Sequence, residues 1–466
     1  MNKYGLIGYP VEHSMSPLIH GYLYDKMNIE GKYDLYPIKD DVKAGLKELY
    51  DKGLSGLNVT VPHKSAVIPY LSGTDEIALS IGAVNTLIRK NDGFYGINTD
   101  IEGLKREVED TGHSVKGMDT VILGAGGAAR AAAFMCLREG ASSITVFNRN
   151  IQKAEKIVED MREYIRSYAL KAQDYERSGV QPDVILKALP FSEVSNVTKN
   201  GSIAFQCTSV GLKPDYDSVI TDDPAFYQKL KFAIDLVYVP KTTRFMQLCR
   251  ENGAEAYNGL KMLIFQAVCA FEAWNDVEVP KDLVREVYEK VESTMRRNVI
   301  LAGFMGSGKS SVGKRLSELL DYEYYDTDSM IVANEGKSIN RIFEESGEAF
   351  FRKLEEELIE DIYKRSLEQK GKRFVLSVGG GAVLSEKNRE YLKKTGLVIY
   401  LKASAGVIKK RLENDANRPL LKGDKASKIE ELLKQREAVY EEAGDLIIDT
   451  DPDTVEEAAL KGERRI

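Results

Sequence analysis

Long apolar runs are missing from this 466-residue chain: no stretch reaches the 18 residues a membrane-spanning helix needs, so none is expected. Cysteine is scarce as well. Cys136, Cys207, Cys249 and Cys269 stand far apart with no C-x-x-C pair, and the four histidines share no metal-ligand spacing. A disulfide framework and a structural zinc are thereby excluded, and buried thiols of a reducing cytosol are expected. A basic excess is also lacking. With 65 Lys and Arg against 72 Asp and Glu, net charge −7, no nucleic-acid partner is predicted, which leaves room only for local pockets that take small anions. The opening "MNKYGLIGYPVEHS" reaches Pro10, Glu12 and His13 before any long apolar core, so it reads as no signal peptide. A cytoplasmic protein that engages no membrane is the expectation. Internal repeats and low-complexity tracts are absent too.

What is present reads as ordinary globular sequence, 43% hydrophobic and 29% charged, long enough for two to four domains. Short β-like runs alternate with amphipathic helical stretches, the pattern of α/β domains with largely parallel sheets. "KYGLIG" predicts a first strand, and "SPLIHGYLYDKMN" a helix with Ser16 as N-cap and Pro17 in its first turn. "GLNVTVP" predicts a short strand closed by Pro62, and "VNTLIRKNDGFYGIN" a β-hairpin turning at Asn91-Asp92-Gly93. From "DLVREVYEKVESTMRR" the chain passes into "NVILAGF" without a flexible linker, which puts a boundary near 293–298.

Two glycine-rich loops stand out, and they are not copies of one another. Gly124-Ala125-Gly126-Gly127-Ala128-Ala129 fits G-x-G-x-x-[GA] between a strand and a helix, as a dinucleotide-binding turn does. An NAD site wants an acidic residue at the end of the next strand, but "TVFNRN" offers Asn148 and Arg149. A guanidinium there suits a 2′-phosphate, so NADP(H) is the expected cofactor. The second loop, Gly303 to Ser310 in "GFMGSGKSS", matches G-x-x-x-x-G-K-[ST]. Its backbone amides would cradle phosphates, with Lys309 reaching the β/γ oxygens and Ser310 ligating Mg²⁺. No N-K-x-D accompanies it, which argues against a GTPase, and "FVLSVGGG" ends in glycines where an acidic residue is usual. An Asp-x-Asp at Asp326 and Asp328 follows instead.

Further stretches bring a family into view. "GYPVEHSMSPLIHG", "GLNVTVPHK", "GAVNTLIRKNDGFYGINTD", "FQCTSVGL", "DLVYVPKTTRF" and "GLKMLIFQA", in this order, resemble shikimate dehydrogenase over about residues 1–285. The resemblance implies Lys64 and Asp100 as a proton-shuttling pair, Ser14 and Ser16 at the substrate carboxylate, and Thr60, Asn85 and Gln266 at its hydroxyls. Tyr238 would line the same cleft, and Gly259 would join the glycine turn around the cofactor. One departure is Gln206-Cys207-Thr208-Ser209, where the family has Asn-Ala-Thr-Pro.

Over 297–450 the chain is similar to shikimate kinase, through the P-loop, "YDTDS", "IFEESGEAFFRKLE", "VGGGAVL", "RPLL" and "QREAVYEE". By that resemblance Gly303, Gly306, Ser307, Gly308, Lys309, Ser310 and Ser311 hold ATP, and Ser310 and Asp326 serve Mg²⁺. Asp328 would deprotonate the attacking hydroxyl. Arg352, Arg436 and the backbone of Gly379, Gly380 and Gly381 would grip the substrate carboxylate. Arg418, in an expected lid, would stabilise the transferring phosphoryl, and Arg411 would lie against the adenine.

The combined expectation is a bifunctional α/β enzyme. Residues 1–102, completed by 238–290, would form a substrate domain, 103–237 a Rossmann domain and 296–466 a P-loop kinase domain. It would reduce 3-dehydroshikimate with NADPH and then phosphorylate the shikimate formed. Three alternatives stand beside it: an oxidative quinate/shikimate dehydrogenase, another small-molecule kinase such as a gluconate kinase, and one half acting as a non-catalytic nucleotide-binding module. The sequence leaves monomer and homodimer both open.

Overall fold

The computed structural model describes residues 2–169, 183–212, 215–368, 372–413 and 425–466. The chain forms two compact units, Met1–Ser293 and Thr294–Ile466.

The first unit holds two sheets. One comprises β1 (Asn2–Gly8), β2 (Gly31–Pro37), β3 (Gly56–Val59), β4 (Gly73–Thr74), β5 (Thr86–Lys90) and β6 (Gly93–Ile97), in the order β2-β1-β3-β5-β6-β4. β1 runs parallel to β2 and β3, while β3–β5 and β5–β6 are antiparallel. The hairpin β5–β6 pairs Lys90 with Gly93, so Asn91 and Asp92 make the turn that the sequence predicts there. Every residue of β3 is buried, as a central strand covered on both faces requires. The helix Leu260–Asn275 packs against this sheet. Trp274 stacks on Tyr4 with ring centroids 4.9 Å apart, and its indole N–H donates to the Leu87 carbonyl at 2.9 Å. Burying a ring of this size contributes roughly 2–3 kcal/mol.

The second sheet is wholly parallel: β7 (Asp119–Leu123), β8 (Ser143–Phe147), β9 (Ile185–Leu189), β10 (Ser202–Gln206), β11 (Leu230–Asp235) and β12 (Glu255–Asn258), ordered β12-β11-β10-β7-β8-β9. The chain winds outward from β7 through β9, then returns to β10 on the other side of β7. That reversal opens a crevice at the carboxyl ends of β7 and β10, where doubly wound sheets take their ligands.

The second unit has one parallel sheet, β13 (Asn298–Ala302), β14 (Glu323–Asp326), β15 (Phe374–Ser377), β16 (Gly396–Lys402) and β17 (Leu446–Asp449), ordered β14-β15-β13-β16-β17. β13 is buried along its whole length and feeds the P-loop.

One local expectation fails. Ser16 does not cap its helix: the helix is Ser16–Met27, Met15 holds the N-cap position, and no side chain caps it. The Ser16 amide instead donates to Ser14 Oγ at 3.2 Å, and Ser14 Oγ donates to Ser16 Oγ at 3.1 Å. The two hydroxyls face one another across a tight turn, which frees Ser16 from the capping role. Among the described residues no helix is long and apolar enough to cross a membrane.

Candidate active sites

In the first sheet, Ser14, Thr60 and Lys64 follow the carboxyl ends of β1 and β3. Asn85 precedes β5 and Asp100 follows β6, and because that hairpin runs antiparallel to β3 both reach the same edge. Lys64 Nζ donates to Asp100 Oδ2 at 2.6 Å, with the lysine 26% exposed and the carboxylate 8%. Asp100 sits in the first turn of the helix Thr99–Asp110, whose N-cap is Asn98, and the Asn98 side chain accepts from the Asp100 amide at 3.0 Å. The helix N-terminus favours a carboxylate at this point. Asn85 Nδ2 donates to Asp100 Oδ1 at 2.8 Å and lies 3.5 Å from Gln266 Oε1. Gly103 lets the two helices approach, since a Cβ there would stand 2.7 Å from the Gln266 amide. Lys64, Asn85, Asp100 and Gln266 thus form one constellation. Thr60 and the Ser14–Ser16 pair sit on the same edge, and Gly8 is obliged to be glycine because a Cβ would collide with Thr60 Cγ2.

The crevice of the second sheet carries the first glycine loop. Gly124 has φ +117°, and a Cβ would approach Thr208 Cγ2 to 3.0 Å, so this glycine serves the turn itself. Gly126 and Gly127 are different. Both are exposed, neither has positive φ, and a Cβ on either would meet nothing within 4 Å. Space therefore lies open at the N-terminus of the helix Gly127–Arg138, with Ala125 and Ala128 half-buried beside it, a cradle that fits a pyrophosphate. Asn148 is fixed at the end of β8 by its amide bond to Leu189 O at 3.1 Å, and Arg149 projects next to it, exposed. Lys153, in the first turn of the following helix, adds a second exposed cation four residues on. Gly259 closes the far side: its amide donates to Val237 O at 3.3 Å, next to the half-buried Tyr238. Burial raises the Tyr238 hydroxyl above its ordinary range.

The departure at 206–209 has a local explanation. Gln206 Oε1 accepts from the Thr208 amide and hydroxyl, both at 2.8 Å, while Nε2 donates to Val210 O at 3.1 Å. The longer amide braces the loop from within. Beside this unit's site, an open cleft of about 620 Å³ is lined by Ser65, Ile81, Gly82, Arg130 and Asp160. Its arginine is already engaged by Asp160 and the Ile81 carbonyl.

In the second unit, Gly303, Gly306 and Gly308 all have positive φ, at +152°, +79° and +97°. Only glycine follows such a path without strain, and it ends at the helix Lys309–Leu320. Lys309 Nζ donates to the carbonyls of Gly303 at 2.8 Å and Phe304 at 3.0 Å. Ser307 is buried with its hydroxyl unpartnered, while Ser310 and Ser311 are exposed at the helix start. Ser310 Oγ donates to Asp326 Oδ2 at 3.0 Å. This hydroxyl–carboxylate pair is a hard-oxygen donor set that suits Mg²⁺ shared with nucleotide phosphates. Arg411 donates to Thr450 O at 2.8 Å and lies 3.4 Å from Gly306 O, against the loop.

Glycines also make room for the remaining groups. A Cβ at Gly379 would collide with Glu355 Oε1 and stand 2.8 Å from Asp328 Oδ1, and one at Gly381 would collide with the Arg352 guanidinium. Asp328, Glu355 and Arg352 therefore converge on the loop Gly379–Gly381. Arg352 Nη1 donates to Glu355 Oε2 at 2.8 Å. Burial raises the Glu355 carboxyl, and Arg352 opposes that rise. Gly380 O accepts from the buried hydroxyl of Tyr440, which Arg436 faces from the same helix. Arg418 lies outside the described residues.

Sequence reasoning missed Glu355, Tyr440 and Tyr324. The hydroxyl of Tyr324 lies 3.3 Å from Asp326 Oδ2 and 3.1 Å from Ser377 Oγ. A signal existed for Glu355: it occupies the buried stripe of Phe351, Leu358, Ile359 and Ile362, where an acid is out of pattern.

The first unit therefore has the doubly wound fold of a nicotinamide-dinucleotide oxidoreductase together with a Lys–Asp pair at its other sheet, and the second has the parallel sheet and glycine loop of a P-loop phosphotransferase. Family models match accordingly: "Shikimate dehydrogenase substrate binding domain" over 6–87, "Shikimate / quinate 5-dehydrogenase" over 106–209, "Shikimate 5'-dehydrogenase C-terminal domain" over 259–287 and "Shikimate kinase" over 305–465. The shikimate dehydrogenase (NADP(+)) of Caldanaerobacter subterraneus subsp. tengcongensis is 36% identical over 294 residues, 63% of this chain and 97% of that protein. That of Halothermothrix orenii is 36% identical over 293 residues, 62% and 95% respectively. Among solved structures, a chorismate mutase/shikimate 5-dehydrogenase fusion protein from Clostridium acetobutylicum superposes with TM-score 0.53 at 32% identity, covering 63% of this chain and 98% of that one. Shikimate 5-dehydrogenase from Thermus thermophilus, in complex with NADP(H) and shikimate, gives 0.52 at 28%, covering 62% and 100%. The chain belongs to the shikimate dehydrogenase family and carries a shikimate kinase domain after it.

Proposed function

We propose that this chain catalyses two successive steps, reduction of 3-dehydroshikimate to shikimate and phosphorylation of that shikimate at its 3-hydroxyl. The observation that carries the reading is the presence in one chain of the 2.6 Å Lys64–Asp100 pair and of the Lys309 P-loop. When bound, NADPH supplies the hydride and ATP with Mg²⁺ the phosphoryl group. The protein's own contribution to the first step is a proton: the Lys64 ammonium donates to the oxygen that becomes a hydroxyl, and Asp100 holds the lysine in place. Ser14 and Ser16 meet the carboxylate, while Thr60, Asn85, Gln266 and Tyr238 set the orientation of the ring. Unpaired polar groups in such a pocket would reject analogues that lack the matching hydroxyl. In the second step Asp328 takes the proton of the attacking hydroxyl, Arg352 and Arg436 grip the carboxylate, and Ser310 and Asp326 would hold the metal. The chain works in the cytoplasm on these small acids.

Incubation with 3-dehydroshikimate, NADPH, ATP and Mg²⁺ is expected to yield shikimate 3-phosphate. Accumulation of shikimate with no phosphate ester would overturn the kinase half, and no NADPH consumption would overturn the other. The readings as an oxidative quinate enzyme, as a gluconate kinase or as a silent binding module are not favoured, since the relatives are NADP(+) shikimate dehydrogenases and the second family model is shikimate kinase.

Arg149 sits where a ribose 2′-phosphate would lie, at the end of β8. Losing one charge-assisted hydrogen bond there should lower the NADPH-over-NADH preference of Arg149→Ala by about 10- to 100-fold in kcat/KM. Steady-state assays with both cofactors check it, and an unchanged ratio would remove Arg149 from the cofactor site.

A further inference from the structure

A buried chain of hydrogen bonds runs behind the first-unit site, and its donors all point one way. The Tyr33 hydroxyl donates to Asn58 Oδ1 at 2.8 Å. Asn58 Nδ2 donates to Thr86 Oγ1 at 3.2 Å and to the Asn85 carbonyl at 3.3 Å. Thr86 Oγ1 donates to Asn85 Oδ1 at 3.1 Å, which also accepts the Thr99 amide at 2.7 Å. Asn85 Nδ2 then donates to Asp100 Oδ1 at 2.8 Å. The members are nearly closed off from water: Tyr33 is 8% exposed, Asn58 5%, Thr86 0%, Asn85 2% and Asp100 6%.

Direction is the informative feature. An amide side chain can be turned either way, and the Asn58 amide is turned by its neighbours. Tyr33 has one proton to give, and giving it to Oδ1 leaves Nδ2 to face Thr86 and the Asn85 carbonyl. Turned over, Asn58 would set an oxygen against that carbonyl and offer Thr86 an acceptor that competes with Asn85 Oδ1 for its hydroxyl proton, leaving the Thr99 groups to hold that oxygen. Bonds aligned in this way polarise one another in a dry interior. The Tyr33 ring cannot drift, because His20 stacks on it at 4.3 Å and 9°. His20 is itself wholly buried with its ring beside the Asn58 side chain, and burial pushes its pKa down to about 3, so it stays neutral. The Ser16 side chain also lies within hydrogen-bonding reach of the Tyr33 hydroxyl, so the tyrosine touches both the serine turn and Asn58.

We propose that Tyr33 is a positioning residue for the reduction: through Asn58 and Thr86 its hydroxyl fixes the Asn85 amide on Asp100, and so holds the carboxylate that carries Lys64. This rests on the reading of Lys64 and Asp100 as the proton-transfer pair. Tyr33→Phe keeps the ring and its stack and removes one hydroxyl. It should lower dehydrogenase kcat about tenfold, with KM for NADPH and the kinase activity of the same preparation unchanged. Thr86→Val, of similar shape, should act alike. The discriminating readout is coupling. On an Asn85→Ala background, Tyr33→Phe should cost less than about twofold, because the group it acts through is gone. A merely structural tyrosine would cost the same factor on both backgrounds and would lower the melting temperature. Wild-type kcat in Tyr33→Phe, or strict additivity with Asn85→Ala, overturns the inference. Full activity in Lys64→Ala and Asn85→Ala would instead overturn the reading beneath it.

Discussion

Lys64→Ala should lose dehydrogenase activity by a factor of about 10² to 10⁴ in kcat, the range that a positioned proton donor contributes. Two effects add in the same direction. The variant has no group to protonate the nascent alkoxide, and the Asp100 carboxyl, its side chain 8% exposed, is left without the cation 2.6 Å away. Asn85 still donates to Asp100, so the carboxylate is not stripped of all partners, and folding should survive. Kinase activity, measured in the same preparation, should equal that of the wild type. That comparison separates a chemical loss from a folding loss, since the P-loop belongs to a different compact unit. A variant that retains a tenth or more of the wild-type kcat would exclude Lys64 as the donor. Lys64→Arg makes a stringent companion: it preserves the charge, but its guanidinium does not release a proton, so kcat should stay low.

Motifs with a local geometry were legible before any coordinates: both glycine loops, the β5–β6 hairpin turn and the "YDTDS" pair each depend on a few neighbouring residues. The glycines also divide by purpose once φ is known. Gly124 and Gly303 shape turns, whereas Gly126 and Gly127 clear space that no protein atom fills. Sequence alone cannot separate those two kinds. What remained hidden is non-local. Tyr33 and Asn58 lie 25 residues apart, and Asn85 reaches Gln266 across 181. Such contacts follow from strand order, and strand order has no signature in any one segment. Ser16 shows the complementary error: its cap-like position was recognised, but its hydroxyl turns to Ser14. A half-signal was available for buried acids. Glu355 and Glu107 both interrupt apolar helical stripes, and burial pushes the Glu107 carboxyl up to about 8. An acid out of pattern says that something unusual is buried there without saying what it touches.

The second large effect belongs to Lys309. Its ammonium bonds the carbonyls of Gly303 and Phe304, which sets a positive charge against a loop whose glycines hold open the path around it. Lys309→Met keeps the length of the stem and deletes the charge. With one preorganised donor missing where negative charge moves during transfer, kinase kcat should fall by about 10² to 10³. The KM for shikimate should change little, because Arg352 and Arg436 stand on other helices, Ile339–Leu367 and Lys425–Ala443. Nucleotide binding gives an independent readout. A ligand that binds only the folded form stabilises it by an amount that grows with the logarithm of its concentration over Kd, so ATP with Mg²⁺ should raise the melting temperature of Lys309→Met less than that of the wild type. Reduction of 3-dehydroshikimate should continue at the wild-type rate, and the coupled incubation should then stop at shikimate. An undiminished thermal shift combined with undiminished kcat would exclude Lys309 from phosphate binding. Loss of both activities without unfolding would show that the two loops do not serve separate steps.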